Sequence, residues 1–191
     1  MSDIIHPGAG VLYMKVGTHA KEGLAEIIER KRREIDEAGF AMWGYGGATC
    51  YPTSMVQPFA RAFAEKGQPI HLVMHKMNSR HYAEQVRAAR FSVDGTKWET
   101  IPEAINVLGS RYALMIKNLR EHDDELDLGA TRVAVGRNEG RVGSRYVQGQ
   151  ADKACLLITE PERANEAEHK KVKIDLVAEL IDPYAVFLSE Q

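Results

Sequence analysis

Cysteine is almost absent from this chain. Cys50 and Cys155 are the only two in 191 residues, and they form neither a CxxC pair nor a Cys/His knuckle. That excludes a disulfide-stapled scaffold and leaves a structural zinc ion no ligand spacing to use. Long apolar runs are missing as well. No stretch approaches the roughly 20 residues that cross a bilayer as a helix, and the opening segment has no basic leader, its short apolar run being broken by Lys15. A cytoplasmic protein that does not enter a membrane is the expectation. An excess of one charge is lacking too: 25 basic and 27 acidic residues leave a net charge of −2. No global field would draw in nucleic acid or an anionic surface, so any basic site must be local.

What is present is the composition of a folded protein, 44% hydrophobic and 27% charged, with length enough for one good core. The expectation is a single α+β domain over residues 1–191, comprising a β-α-β-α-β portion over 1–81 and a strand-rich antiparallel portion over 82–191. Val11 to Val16 read as a strand, with Gly17-Thr18 supplying a break and an N-cap for a helix from His19 to Ala38. Leu24, Ile27, Ile28, Ile35 and Ala38 recur at helical spacing, and Gly39 is placed to end the helix. Phe40 to Tyr45 give a second strand, a short helix follows the capping-box spacing of Ser54 and Gln57, and Ile70 to Met77 give a third strand. The three strands are expected to be parallel neighbours.

Beyond Arg80 the pattern changes. Asp94-Gly95 reads as a hairpin turn between Val86 to Val93 and Thr96 to Ile101. Further strands are expected at Tyr112 to Lys117, Thr131 to Val135, Arg145 to Val147, Ala154 to Ile158, Val172 to Leu180 and Tyr184 to Leu188. The acidic run Glu121 to Glu125 and the polar stretch 160–171 read as exposed connections. A half-barrel of the PUA-like kind is one arrangement open to such strands, though no family motif anchors it.

The most informative stretch runs from Trp43 to Pro52, reading Trp43-Gly44-Tyr45-Gly46-Gly47 at its start. In a strand Trp43 and Tyr45 project from one face, and the glycines permit close approach and unusual torsions, which suits a flat ligand. Parallel strands would also gather Gly17-Thr18-His19, Gly46 to Ser54 and Asn78 to His81 beyond their carboxyl ends, where open α/β sheets bind ligands. Ligand-binding candidates are therefore Thr18, His19, Trp43, Tyr45, Ser79 and Arg80, and an anion is the natural guess.

Other groups admit a different chemistry. His19 and Glu22 are near neighbours that could serve as an acid/base pair, with Cys50 as a nucleophile if the loops converge. His71 and His75 would lie about 13 Å apart in a strand, too far for one metal ion, so no metal site is expected. The segment from Arg132 to Arg145 carries four arginines among three glycines with Glu139 as its one acid. It matches no phosphate-loop motif, but Arg137, Arg141 and Arg145 could meet phosphates. The basic cluster Arg30 to Arg33 sits among more numerous acids and reads as an ion-paired helix face.

Three functions fit these observations. The first is a binding domain for a small anionic molecule, a nucleotide or nucleic acid, using the aromatic and glycine-rich pocket with the basic loop and no cofactor. The second is a hydrolase or transferase built on His19, Glu22 and Cys50. The third is an interaction or inhibitor protein using the acidic run or a strand edge. A homo-oligomer is compatible with each.

Overall fold

The computed structural model describes residues 3–81, 83–148, 151–161 and 166–191, without the side chains of residues 79–81 and 166. Its elements are β1 (Gly10–His19), α1 (Leu24–Ala38), β2 (Ala41–Tyr45), α2 (Gln57–Ala64), β3 (His71–His81), β4 (Arg90–Ser92), β5 (Glu99–Thr100), β6 (Tyr112–Asp127), β7 (Thr131–Val133), α3 (Gly143–Tyr146), β8 (Lys153–Ile158) and β9 (Lys171–Ser189). The fold is mixed α+β and mostly strand. Among the described residues the strands form one unclosed sheet in the order β2-β6-β9-β3-β1-β8-β7, with β4 pairing β9 and β5 pairing β4 off this path. Only β1 and β3 pair in parallel; the other pairings are antiparallel. Among the described residues no helix is long and apolar enough to cross a membrane.

Alternation along the strands explains why both faces of the sheet are covered. Leu12, Met14 and Val16 of β1, Leu72 and Met74 of β3, Leu176, Ala178 and Leu180 of β9, and Trp43 and Tyr45 of β2 share one core, beneath α1 and α2. The intervening residues Val11, Tyr13, Val73 and Val177, joined by Ile174, form a second core on the opposite face. A third, around Met42, Met115 and Val186, backs the β2 end. That β2 and β8 contribute to a single core, although they stand near opposite ends of the strand order, shows that the sheet curls around it. The bending is concentrated in β6 and β9, whose mutual register shifts three times. Asn118 and Tyr184 there adopt positive φ of 54° and 71°.

α1 buries Ile27 and Ile28, with Leu24 and Ile35 partly buried against the core, and ends at Gly39 in the left-handed conformation, whose N–H donates to Ile35 O at 2.8 Å. Lys31 and Glu34 are also buried on this helix. Lys31 Nζ lies 3.1 Å from Glu34 Oε2 and donates to Asn106 O at 2.7 Å, while Glu34 Oε1 accepts from Asn106 N–H at 2.8 Å. The pair therefore fastens α1 to the loop before β6. Burial lowers the Lys31 pKa to about 8 against the pull of Glu34.

Several expectations from the sequence are corrected. β2 is not a neighbour of β1 and β3; it pairs antiparallel with β6, because β1 and β3 satisfy each other directly and β6 offers the matching apolar alternation from Tyr112 to Ile116. The helix begins at Leu24 instead of His19, since Ala20 and Lys21 take positive φ and turn the chain so that His19 and Glu22 exchange backbone hydrogen bonds, leaving Gly23 as N-cap. Thr18 consequently caps nothing and stays in β1.

The acidic run belongs to β6, which continues to Asp127 and is held by its ladder with β9, where Glu121, Asp124 and Glu125 stand opposite Leu176, Ile174 and Lys173. Arg145 lies in a short helix instead of a strand. The last two expected strands are one, β9.

Candidate functional site

A cavity of about 710 Å³ opens between the carboxyl-terminal part of β1, the start of α1, the end of β2 with the loop after it, residues 107–111, and the start of β8. Its size falls within the roughly 300–1,000 Å³ of small-ligand sites. The curl of the sheet creates it, by bringing the ends of β1 and β2 together across the core. The strand carrying Ser79 and Arg80 does not supply a third loop. β3 runs on beside β1, with Arg80 paired to Thr18 and His81 to His19. The side chains of Ser79 and Arg80 lie outside the described residues.

Trp43 and Tyr45 both line the cavity while being only 5% and 3% exposed. They are core residues with a surface turned to the cavity. The Tyr45 hydroxyl donates to Cys50 O at 2.6 Å, and burial raises its pKa well above the ordinary value. The glycines between and after these rings have separate reasons. A Cβ on Gly44 would lie 2.2 Å from Ser110 Oγ, so its absence admits the 107–110 wall. Gly47 has φ +88° and leaves a Cβ position 3.4 Å from Lys153 Nζ.

Thr18 and His19 line the cavity from the end of β1. His19 Nε2 is 3.2 Å from both Leu108 O and Ser110 Oγ. A carbonyl can only accept, so Nε2 carries the proton, and it cannot at the same time take one from Ser110. The imidazole thus ties β1 to the 108–110 wall. Glu22 also lines the cavity, with its carboxylate held by the Arg30 guanidinium in a short contact. His19 and Glu22 are joined through their backbones.

Cys50 is fully buried. Its Sγ lies 4.0 Å from that of Cys155, and this contact lowers the Cys50 pKa while pushing Cys155 well above its ordinary value. Neither sulfur reaches the cavity, so the geometry withholds the thiol from a substrate there. Arg137, Arg141 and Arg145 are exposed and line no part of the cavity; Arg145 pairs with Glu168 at 3.0 Å. Among the described residues no group of three or more His, Cys, Asp or Glu side chains could hold a metal ion.

Charge distinguishes the cavity from the rest of the chain. Its described lining holds five bases, Lys15, Arg30, Lys31, Arg111 and Lys153, against two acids, Glu22 and Asp152. Arg30, Lys31 and Lys153 have carboxylate partners. Lys15 and Arg111 have no ion pair among the described residues: Lys15 Nζ donates to Val147 O at 3.3 Å, and Arg111 lies over the Tyr112 ring at 5.5 Å. The Lys15 pKa is lowered, first by desolvation and then by Lys170.

Lys153, Lys15, Arg111 and Tyr146 escape a reading of the sequence because they belong to four separated segments. The one available signal was Lys153 itself, a lysine on the same face as Cys155 in an otherwise apolar strand. Tyr146, whose hydroxyl is 2.9 Å from Thr49 Oγ1, completes the wall. No protein-family model, no curated protein and no solved structure matches the chain.

Proposed function

We propose that the protein binds a nucleotide, or a nucleic-acid-derived anion of similar size, in this cavity. The observation that carries the reading is a ligand-sized concavity in which a basic excess borders the Trp43 and Tyr45 rings, within a chain of net charge −2. A planar base stacked on an aromatic side chain gains roughly 1–3 kcal/mol. Lys15 and Arg111, the lining bases without ion pairs among the described residues, favour negative charge at the same opening. The Arg137, Arg141 and Arg145 loop lies apart from this site and is not needed for it.

The test is a titration of the full chain with a panel of nucleosides and nucleotides, followed by calorimetry and by thermal stability. Saturable binding that raises the melting temperature is the expected result. No binding and no stabilisation across the panel would overturn the reading.

A further inference from the structure

The loop from Gly46 to Thr49 forms part of the cavity wall, and its backbone has an unusual hydrogen-bond record. The amide N–H groups of Gly46, Gly47, Ala48 and Thr49 have no protein acceptor among the described residues. Gly47 and Ala48 are exposed while lining the cavity, and consecutive free N–H groups in a glycine turn are a recurrent concavity for anions. A second, independent observation stands beside them. The Lys153 side chain is only 5% exposed, yet its ammonium lies next to Gly47 and over the Tyr45 ring, with Asp152, half exposed, as its one carboxylate partner at 2.7 Å. A buried ammonium beside Gly47, held by a single half-exposed carboxylate, adds positive charge to a wall whose four loop amides have no acceptor among the described residues.

We infer that the Gly46–Thr49 amides and Lys153 form an oxyanion subsite that takes the phosphoryl group of the cavity's ligand. The inference rests on the reading of the cavity as a ligand site, and it adds where the charge goes. The oxygens accept from the loop amides, and Lys153 supplies the counter-charge from beneath Gly47. Asp152 competes with the ligand for that ammonium, so its carboxylate weakens the subsite. The aromatic surface of Trp43 remains for the ligand's flat portion.

The experiment is calorimetric titration of the full chain with a nucleoside, its 5′-monophosphate and inorganic pyrophosphate, on wild type, Lys153→Met and Asp152→Asn. Charge-assisted contacts of this kind predict the monophosphate binding at least about tenfold more tightly than the nucleoside. Lys153→Met should abolish that preference, and Asp152→Asn should strengthen monophosphate binding about threefold or more. Asp152 is half exposed, so its variant keeps the test decisive should Lys153→Met fail to fold.

Equal wild-type affinity for nucleoside and monophosphate overturns the subsite while leaving the cavity reading intact. A preference that survives Lys153→Met, or is unmoved by Asp152→Asn, also overturns it. Lys153-dependent binding of pyrophosphate without nucleoside binding supports the subsite and removes the nucleotide reading. Absence of all binding removes both.

Discussion

Lys153 Nζ stands 5.9 Å from the centroid of the Tyr45 ring, although Lys153 begins β8 and Tyr45 ends β2, strands separated by four others in the sheet order. Curvature of the sheet makes them neighbours, and the cavity lies where they meet. Its floor is therefore sensitive to changes that leave each strand intact but alter how the sheet closes upon itself.

Trp43 serves both core and cavity, and its truncation should have two separable effects. Trp43→Ala is expected to cost roughly 3–5 kcal/mol of folding free energy, as for other buried large side chains. Trp43→Leu, which retains more of the core volume, should unfold at a higher urea concentration than Trp43→Ala and yet bind nucleotide as poorly. Unfolding curves and calorimetry on both variants check this. Nucleotide affinity unchanged in Trp43→Leu would leave Trp43 a core residue only.

Gly44 is expected to resist the smallest possible enlargement. A methyl group there meets Ser110 Oγ at 2.2 Å and Val107 Cγ1 at 2.8 Å, so Gly44→Ala should destabilise by about 1–3 kcal/mol through overpacking. Ser110→Gly in the same chain should recover part of that loss. Urea unfolding of the single and double variants measures the coupling, and additive effects would contradict the contact.

Cys50 and Cys155, 0% and 1% exposed, should both alkylate slowly in the native protein and readily in denaturant. Mass spectrometry after timed exposure to iodoacetamide reads the two rates. Fast, selective native labelling of Cys50 would instead return the thiol to consideration as a nucleophile.

Lys31 gives a signed pH dependence. Folding lowers its pKa from 10.5 to about 8, so between those values the unfolded chain holds more protons at this residue than the folded one. Stability from this group therefore rises with pH across that window and is lower below it. Subtracting the unfolding free energy of Lys31→Met from that of wild type, at intervals from pH 7 to 10.5, should give a difference that moves in favour of wild type as pH rises. A flat or opposite trend would mean that the Lys31 ammonium is not penalised by burial.

Much of the fold could be read from residue patterns because local rules decided it. The α1 face with its Gly39 end and the alternation in β1 and β3 follow from periodicity and torsional preference, whereas the expected tight turn at Asp94-Gly95 lies within a longer connection, residues 93–98, between β4 and β5. The place of β2 did not follow, because pairing with β6 depends on residues distant in the chain. The acidic run reads as a loop because its place opposite Leu176, Ile174 and Lys173 is visible only across the ladder. Trp43, Tyr45, Thr18 and His19 stand together at the cavity because glycines and aromatics mark a local backbone need. Arg111 carries no local mark and Lys153 only that of a lone lysine in an apolar strand; the curl of the sheet brings them to one cavity.

The most direct measurement of the central claim uses the chain's two tryptophans. Trp98 is 37% exposed, outside the cavity lining, so Trp98→Phe leaves Trp43 as the sole indole reporter. Titrating that protein with a nucleoside monophosphate while recording tryptophan emission should give a saturable change, opposed by high salt as the phosphate is screened. Emission that stays constant through millimolar nucleotide, with a melting temperature equally unmoved, would contradict nucleotide binding at this cavity.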